Sequence, residues 1–122
     1  MTPTKKILII DDDETACALF KMKIEKRGDC SVDTANSGGE GLKMARGLKP
    51  DLIVLDVMIP DIDGGEVKFE LSQRPETKDI PILFLTSLTD EAHKSGDSWM
   101  LPKSSPPADI VNKIIELLEE EL

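Results

Sequence analysis

Residues 51–64 read DLIVLDVMIPDIDG, an apolar run from Leu52 to Leu55 that stops at Asp56 and passes into the turn formers Pro60, Asp61, Asp63, Gly64 and Gly65. A short apolar run bounded by turn formers reads as a strand buried on both faces, the pattern of a parallel sheet. Asp56 therefore stands where a parallel strand ends. In open α/β sheets ligands bind beyond those carboxyl ends.

The same pattern recurs on either side. Lys5 to Ile10 is an apolar strand that stops at Asp11-Asp12-Asp13-Glu14, and Ile82 to Leu85, introduced by Pro81, stops at Thr86-Ser87. Ser31 to Ala35 alternates apolar and polar residues as a strand nearer a sheet edge does, and Trp99-Met100-Leu101 forms a brief fifth strand ahead of Pro102-Lys103. Between them the 3.6-residue period predicts helices over Asp13 to Lys26, from the Ser37/Glu40 capping box to about Gly47, and over Glu66 to Gln73, ended by Pro75. Gly38, Gly39 and Gly41 weaken the second of these. Leu88 to Gly96 is short and polar, a weak helix at best. Ser105 and Pro106 open a last helix with Ile110, Ile114, Leu117 and Leu118 on one face. Its acidic end, Glu119-Glu120-Glu121, opposes the helix dipole and is expected to fray.

Strands alternating with helices imply a single α/β domain over residues 1–122, a doubly wound five-stranded parallel sheet with right-handed crossovers. The expected strand order is 2-1-3-4-5, flavodoxin-like, with a shortened or irregular fourth helix. At 122 residues the chain is one domain's worth. It has no apolar stretch near the ~20 residues of a membrane span and no leader, so a cytoplasmic protein with no membrane partner is expected. A formal charge of −9 disfavours direct nucleic-acid binding and is compatible with holding a cation. Cys17 and Cys30 lack metal-ligand spacing and read as buried thiols.

Parallel strands point one way, so Asp11, Asp12, Asp56, Thr86 and Lys103 gather at one sheet edge. Three carboxylates in one place raise one another's pKa unless a cation compensates them. Mg²⁺ fits, being a hard ion held by carboxylates, water and phosphate. A hydroxyl and an ammonium beside it are what the equatorial oxygens of a phosphoryl group require.

These residues, in this order, resemble the receiver domain of two-component response regulators, over about Lys5 to Leu122. That family carries an acidic pair after the first strand, an aspartate after the third with Pro four and Gly eight residues on, Thr or Ser after the fourth and Lys after the fifth. Here these are Asp11-Asp12, Asp56 with Pro60 and Gly64, Thr86 and Lys103. The resemblance implies that Asp56 accepts a phosphoryl group from a histidine kinase or phosphotransfer protein and that an unknown downstream protein reads the change. It further implies that Asp11, Asp12, Asp56 and the Met58 backbone carbonyl hold Mg²⁺ or Mn²⁺, that Thr86 and Lys103 meet the phosphoryl oxygens, and that the chain catalyses only its own modification. A homodimer is a further possibility. The chain is either a stand-alone receiver or a piece of a longer protein.

Three departures stand out. Ser104 follows Lys103 where the family has Pro, so a trans bond is expected. Met100 holds the position of the family's switch aromatic, with Trp99 one residue away and so on the opposite strand face. The stretch between Thr86 and Lys103 is shorter than usual. They motivate an alternative, a receiver-like interaction module that works without phosphorylation; a third reading, an aspartyl phosphohydrolase, lacks an acid at Met58. Asp61 and Asp63 fail a calcium loop because Ile59 stands where it should open. His93 reads as a surface residue.

Overall fold

The computed structural model describes residues 4–87, 89–96 and 98–120, the side chain of residue 120 excepted. Leu88 and Glu121, which entered the expectations above, lie outside the described residues. The order is β1 (Lys5–Ile10), α1 (Glu14–Glu25), β2 (Cys30–Ala35), α2 (Gly38–Leu48), β3 (Leu52–Asp56), α3 (Gly64–Ser72), β4 (Ile82–Thr86), β5 (His93–Ser95), β6 (Ser98–Pro102) and α4 (Pro107–Glu120).

One sheet runs β2-β1-β3-β4-β6-β5. The five parallel strands keep the expected order, β6 being the expected fifth, and β5 adds an antiparallel edge. Alternation along the strands divides the core in two. Ile7, Ile9, Leu52, Val54, Leu83 and Leu85 face α1 and α4, while Leu8, Ile10, Ile53, Leu55, Ile82 and Phe84 face α2 and α3. Burial pushes the Cys17 and Cys30 thiols up to about 11, as inert core residues.

The irregular fourth helix is replaced by a hairpin. A parallel connection through a helix takes a dozen or more residues; fewer lie between Thr86 and Ser98, and those described are exposed up to Gly96 or nearly so. The chain returns as β5 outside β6, with Gly96 in the left-handed region (φ 63°) at the tight turn.

The other helices start and stop on local signals. Asp13 caps α1 through the Ala16 N–H, Ser37 caps α2 through that of Glu40, and Asp63 caps α3 through that of Gly65. Gly64 and Gly65 belong to α3, which therefore begins earlier than Glu66. α2 passes Gly47 and ends with Lys49 in the left-handed region (φ 49°). Gly38 and Gly41 are there for space: a Cβ on Gly41 would come 2.5 Å from Ile10 Cδ1, and one on Gly38 would run into Ile62. α4 starts at Pro107 rather than Pro106, since either proline suits a first turn with no use for its N–H, and it stays helical to Glu120. There is no cis peptide bond among the described residues.

Candidate functional site

The site is assembled by strand register. Ile10 pairs with Leu55, so Asp11 and Asp56 follow side by side as β1 and β3 run out. Asp11 and Asp56 are 2% and 4% exposed, whereas Asp12 is exposed. One carboxylate oxygen from each of the three lies within 4.8 Å of the others. Thr86 closes β4 and is buried, and its carbonyl accepts from the Lys103 N–H (2.8 Å), which carries the β4/β6 ladder one step past Pro102. That step delivers the Lys103 ammonium to Asp56 Oδ2 at 2.6 Å and Asp11 Oδ2 at 3.5 Å. The sheet edge thus gathers the side chains of Asp11, Asp12, Asp56 and Lys103, and the Thr86 backbone lies beside Lys103.

The acids differ in how they are held. Asp56 Oδ1 accepts from the Met58 N–H (3.1 Å), and Asp11 Oδ1 from the Asp13 N–H (3.0 Å). Asn36 Nδ2 donates to the Asp11 carbonyl (3.1 Å), fixing the turn out of β1. Asp11 Oδ2 is buried and accepts no hydrogen bond; Lys103 is the cation facing it. Burial, helped by the Asp56 charge, holds the Asp11 carboxyl above its usual range against the Asp13 N–H and Lys103. Burial works against the Lys103 ammonium too, yet Asp56 and Asp11 together keep its pKa raised.

Three carboxylates against one ammonium leave an excess of negative charge that buried groups tolerate only when compensated. The donors are all oxygen, one of them lacks a hydrogen-bond partner, and the mouth is open at Asp12. This set suits a hard divalent cation such as Mg²⁺ or Mn²⁺.

Sequence reading missed one residue of this region. Asp61 caps the start of α2, accepting from the N–H groups of Gly38 (2.9 Å) and Gly39 (3.0 Å). Asp61 and Asp63 are thus caps of two different helices, in keeping with the rejected calcium loop. The side chain of Met58 is exposed. On β6, Trp99 packs on the α1/α4 side with the Lys113 ammonium 3.5 Å from its ring centroid, and Met100 packs on the α2/α3 side, as the one-residue offset requires. His93 is exposed on β5.

Comparison with known proteins bears on the family and the fold. The family model described as the response regulator receiver domain matches residues 7–115. The chain is 43% identical over 108 residues to the alkaline phosphatase synthesis transcriptional regulatory protein PhoP of Bacillus subtilis, covering 84% of this chain and 44% of that protein. It is 34% identical over 89 residues to Protein PilH of Pseudomonas aeruginosa, covering 73% of each. It thus spans less than half the length of PhoP and most of PilH. Among solved structures, the Francisella response regulator 1452 receiver domain superposes with a TM-score of 0.81 at 23% identity, covering 98% of this chain and 100% of that one, a likeness of fold. A CheY-like receiver domain protein from Methanospirillum hungatei JF-1 gives a TM-score of 0.74 at 27% identity, covering 97% and 96%.

Proposed function

Since the chain belongs to the response regulator receiver family of two-component signalling, we propose that Asp56 accepts a phosphoryl group from the phosphohistidine of a histidine kinase or phosphotransfer protein. The observation that carries this reading is the Lys103 ammonium 2.6 Å from the Asp56 carboxylate, beside two further acids at the end of the adjacent strand β1. A carboxylate oxygen of Asp56 forms the new bond to phosphorus as the P–N bond of the donor breaks and its electron pair leaves on the imidazole nitrogen. Asp11, Asp12, Asp56 and the Met58 carbonyl would hold Mg²⁺, which when bound offsets the charge of the transferring group. Lys103, already on Asp56, follows the negative charge onto the phosphoryl oxygens, and Thr86 donates to them.

In this reading the domain acts on no substrate but its own aspartyl phosphate, and the charge added at Asp56 biases a two-state surface toward a downstream protein. The β5 hairpin and Met100 favour one alternative, an interaction module indifferent to phosphate. Intact mass after incubation with a small phosphodonor and Mg²⁺ decides between them. One added phosphoryl group that disappears in Asp56→Asn is expected. Unchanged mass in the natural protein, or the same gain in Asp56→Asn, overturns the phosphoacceptor reading.

A further inference from the structure

The loop that leads from Asp56 into α3 is fastened on its far side to a different helix. Asp61 gives one carboxylate oxygen to the Gly38 N–H and the other to the Gly39 N–H, the first two amides of α2, while the Glu40 N–H goes to Ser37 Oγ (3.1 Å). A helix leaves those amides without internal partners and concentrates its positive dipole there, so a carboxylate bonded to two of them is a charge-matched joint. The Gly39 and Gly38 bonds hold the Asp61 carboxyl below its usual range. Next to it, Ile62 fills the space in which a side chain on residue 38 would sit. At the loop's other end the Met58 N–H bonds Asp56 Oδ1, three positions from the joint, and the Gly64 N–H bonds the Val57 carbonyl (3.0 Å). A short segment is thus tied at one end to the carboxylate on β3 and at the other to α2.

We propose that Asp61 is a positioning residue of the phosphoacceptor site, holding the Met58 backbone beside Asp56 and coupling the start of α2 to occupancy of the acidic pocket. The inference rests on the phosphoacceptor reading and adds a residue to it. It also gives the loop a second output route, through α2, that does not pass through the rebuilt segment between β4 and β6.

Amide NMR of the full chain, titrated with Mg²⁺ alone, tests it. In the natural protein the amides of Asp11 to Asp13 and of Val57 and Met58 shift, and those of Gly38 and Gly39 shift with them along the same binding curve. In Asp61→Ala the Gly38 and Gly39 response to Mg²⁺ is lost, and Mg²⁺ affinity falls roughly tenfold, the low end of what removing a group that orients metal ligands costs. Asp61→Asn, which keeps one acceptor oxygen without the charge, lies between. Thermal denaturation of each variant fixes a temperature at which it is fully folded. A residue serving only stability would lower the melting temperature and leave Mg²⁺ affinity at that temperature as it was. Gly38→Ala pushes on the same joint from the α2 side, so its effect on Mg²⁺ affinity is expected not to add to that of Asp61→Ala. Site amides that shift while Gly38 and Gly39 stay still, or unaltered Mg²⁺ affinity in Asp61→Ala, overturn the clamp alone. No shift at Asp11 to Asp13 in the natural protein overturns the metal-assisted reading as well.

Discussion

The carboxyl ends of β1 and β3 and the segment between β4 and β6 meet at the same sheet yet are built differently. In the first, Asp11 and Asp56 are buried and bonded to the amides of Asp13 and Met58, and Lys103 lies against both. In the second, a three-residue edge strand with every residue exposed stands in place of a crossover helix. The difference shows what the site depends on. Lys103 reaches Asp56 because β6 pairs with β4 from Leu83↔Trp99 to Thr86↔Pro102, and that ladder is indifferent to the route taken between the two strands. The chemistry is tied to register, so the connection was free to change.

The sharpest contrast is energetic. Leu55 is fully buried in β3, directly before Asp56, and packs with Ile10 and Val67 in the α2/α3 half of the core. Leu55→Ala is expected to cost about 2–5 kcal/mol, from lost transfer energy plus the cavity left behind. Urea denaturation measures it through the midpoint at constant m-value. A loss below about 1 kcal/mol would mean that the β3 end is as adaptable as the hairpin, and the comparison would break.

The two regions also differed in how well they could be read from sequence. Apolar runs that stop at Asp11, Asp56 and Thr86 declare both the strands and their ends, and parallel topology then brings the side chains together. The hairpin leaves no such trace: the residues from Leu88 to Gly96 carry neither a helical nor an alternating period, and β5 forms because β6 offers it an edge. The Asp61 joint was illegible for another reason. It spans more than twenty residues, and its partners are backbone amides, which have no signature in side-chain identity. Gly38 and Gly41 read as helix-weakening residues because their actual reason, the side chains of Ile62 and Ile10, comes from elsewhere in the chain. The two adjacent prolines, Pro106 and Pro107, left the start of α4 ambiguous by one residue.

Within the acidic region, Asp11→Asn separates stability from function. The folded state raises the Asp11 pKa and so binds its proton more tightly than the unfolded chain does. Stability therefore falls as pH climbs from the unfolded value through the raised folded one. Asn keeps an oxygen for the Asp13 N–H and leaves Lys103 its bond to Asp56, so the variant loses the buried charge and with it the 3.5 Å ion pair to Lys103. Without divalent cations it is expected to gain about 1 kcal/mol, or about 3–5 °C in melting temperature. With Mg²⁺ the order reverses: at a hundred times its dissociation constant the ion stabilises the natural protein by about 2.7 kcal/mol, and the variant by much less. Calorimetry with and without a chelator checks both signs. A variant less stable than the natural protein in chelator would show that Lys103 already compensates Asp11 fully.

The smallest effect belongs to the hairpin. Lys94 is exposed on β5 and sits across from Trp99, whose ring is already engaged by the Lys113 ammonium of α4. Replacing Lys94 by Ala leaves the β5 backbone free to pair and uncovers no core residue, so a change of about 0.5 kcal/mol or less is expected. Phosphoryl uptake at Asp56 should proceed at the natural rate, because the pairing of β4 with β6 holds Lys103 in place whether or not β5 is well formed. Rates followed by intact mass give the answer directly. A severalfold slower uptake in Lys94→Ala would show that β5 helps to set the position of Lys103, and would place the rebuilt segment among the supports of the site.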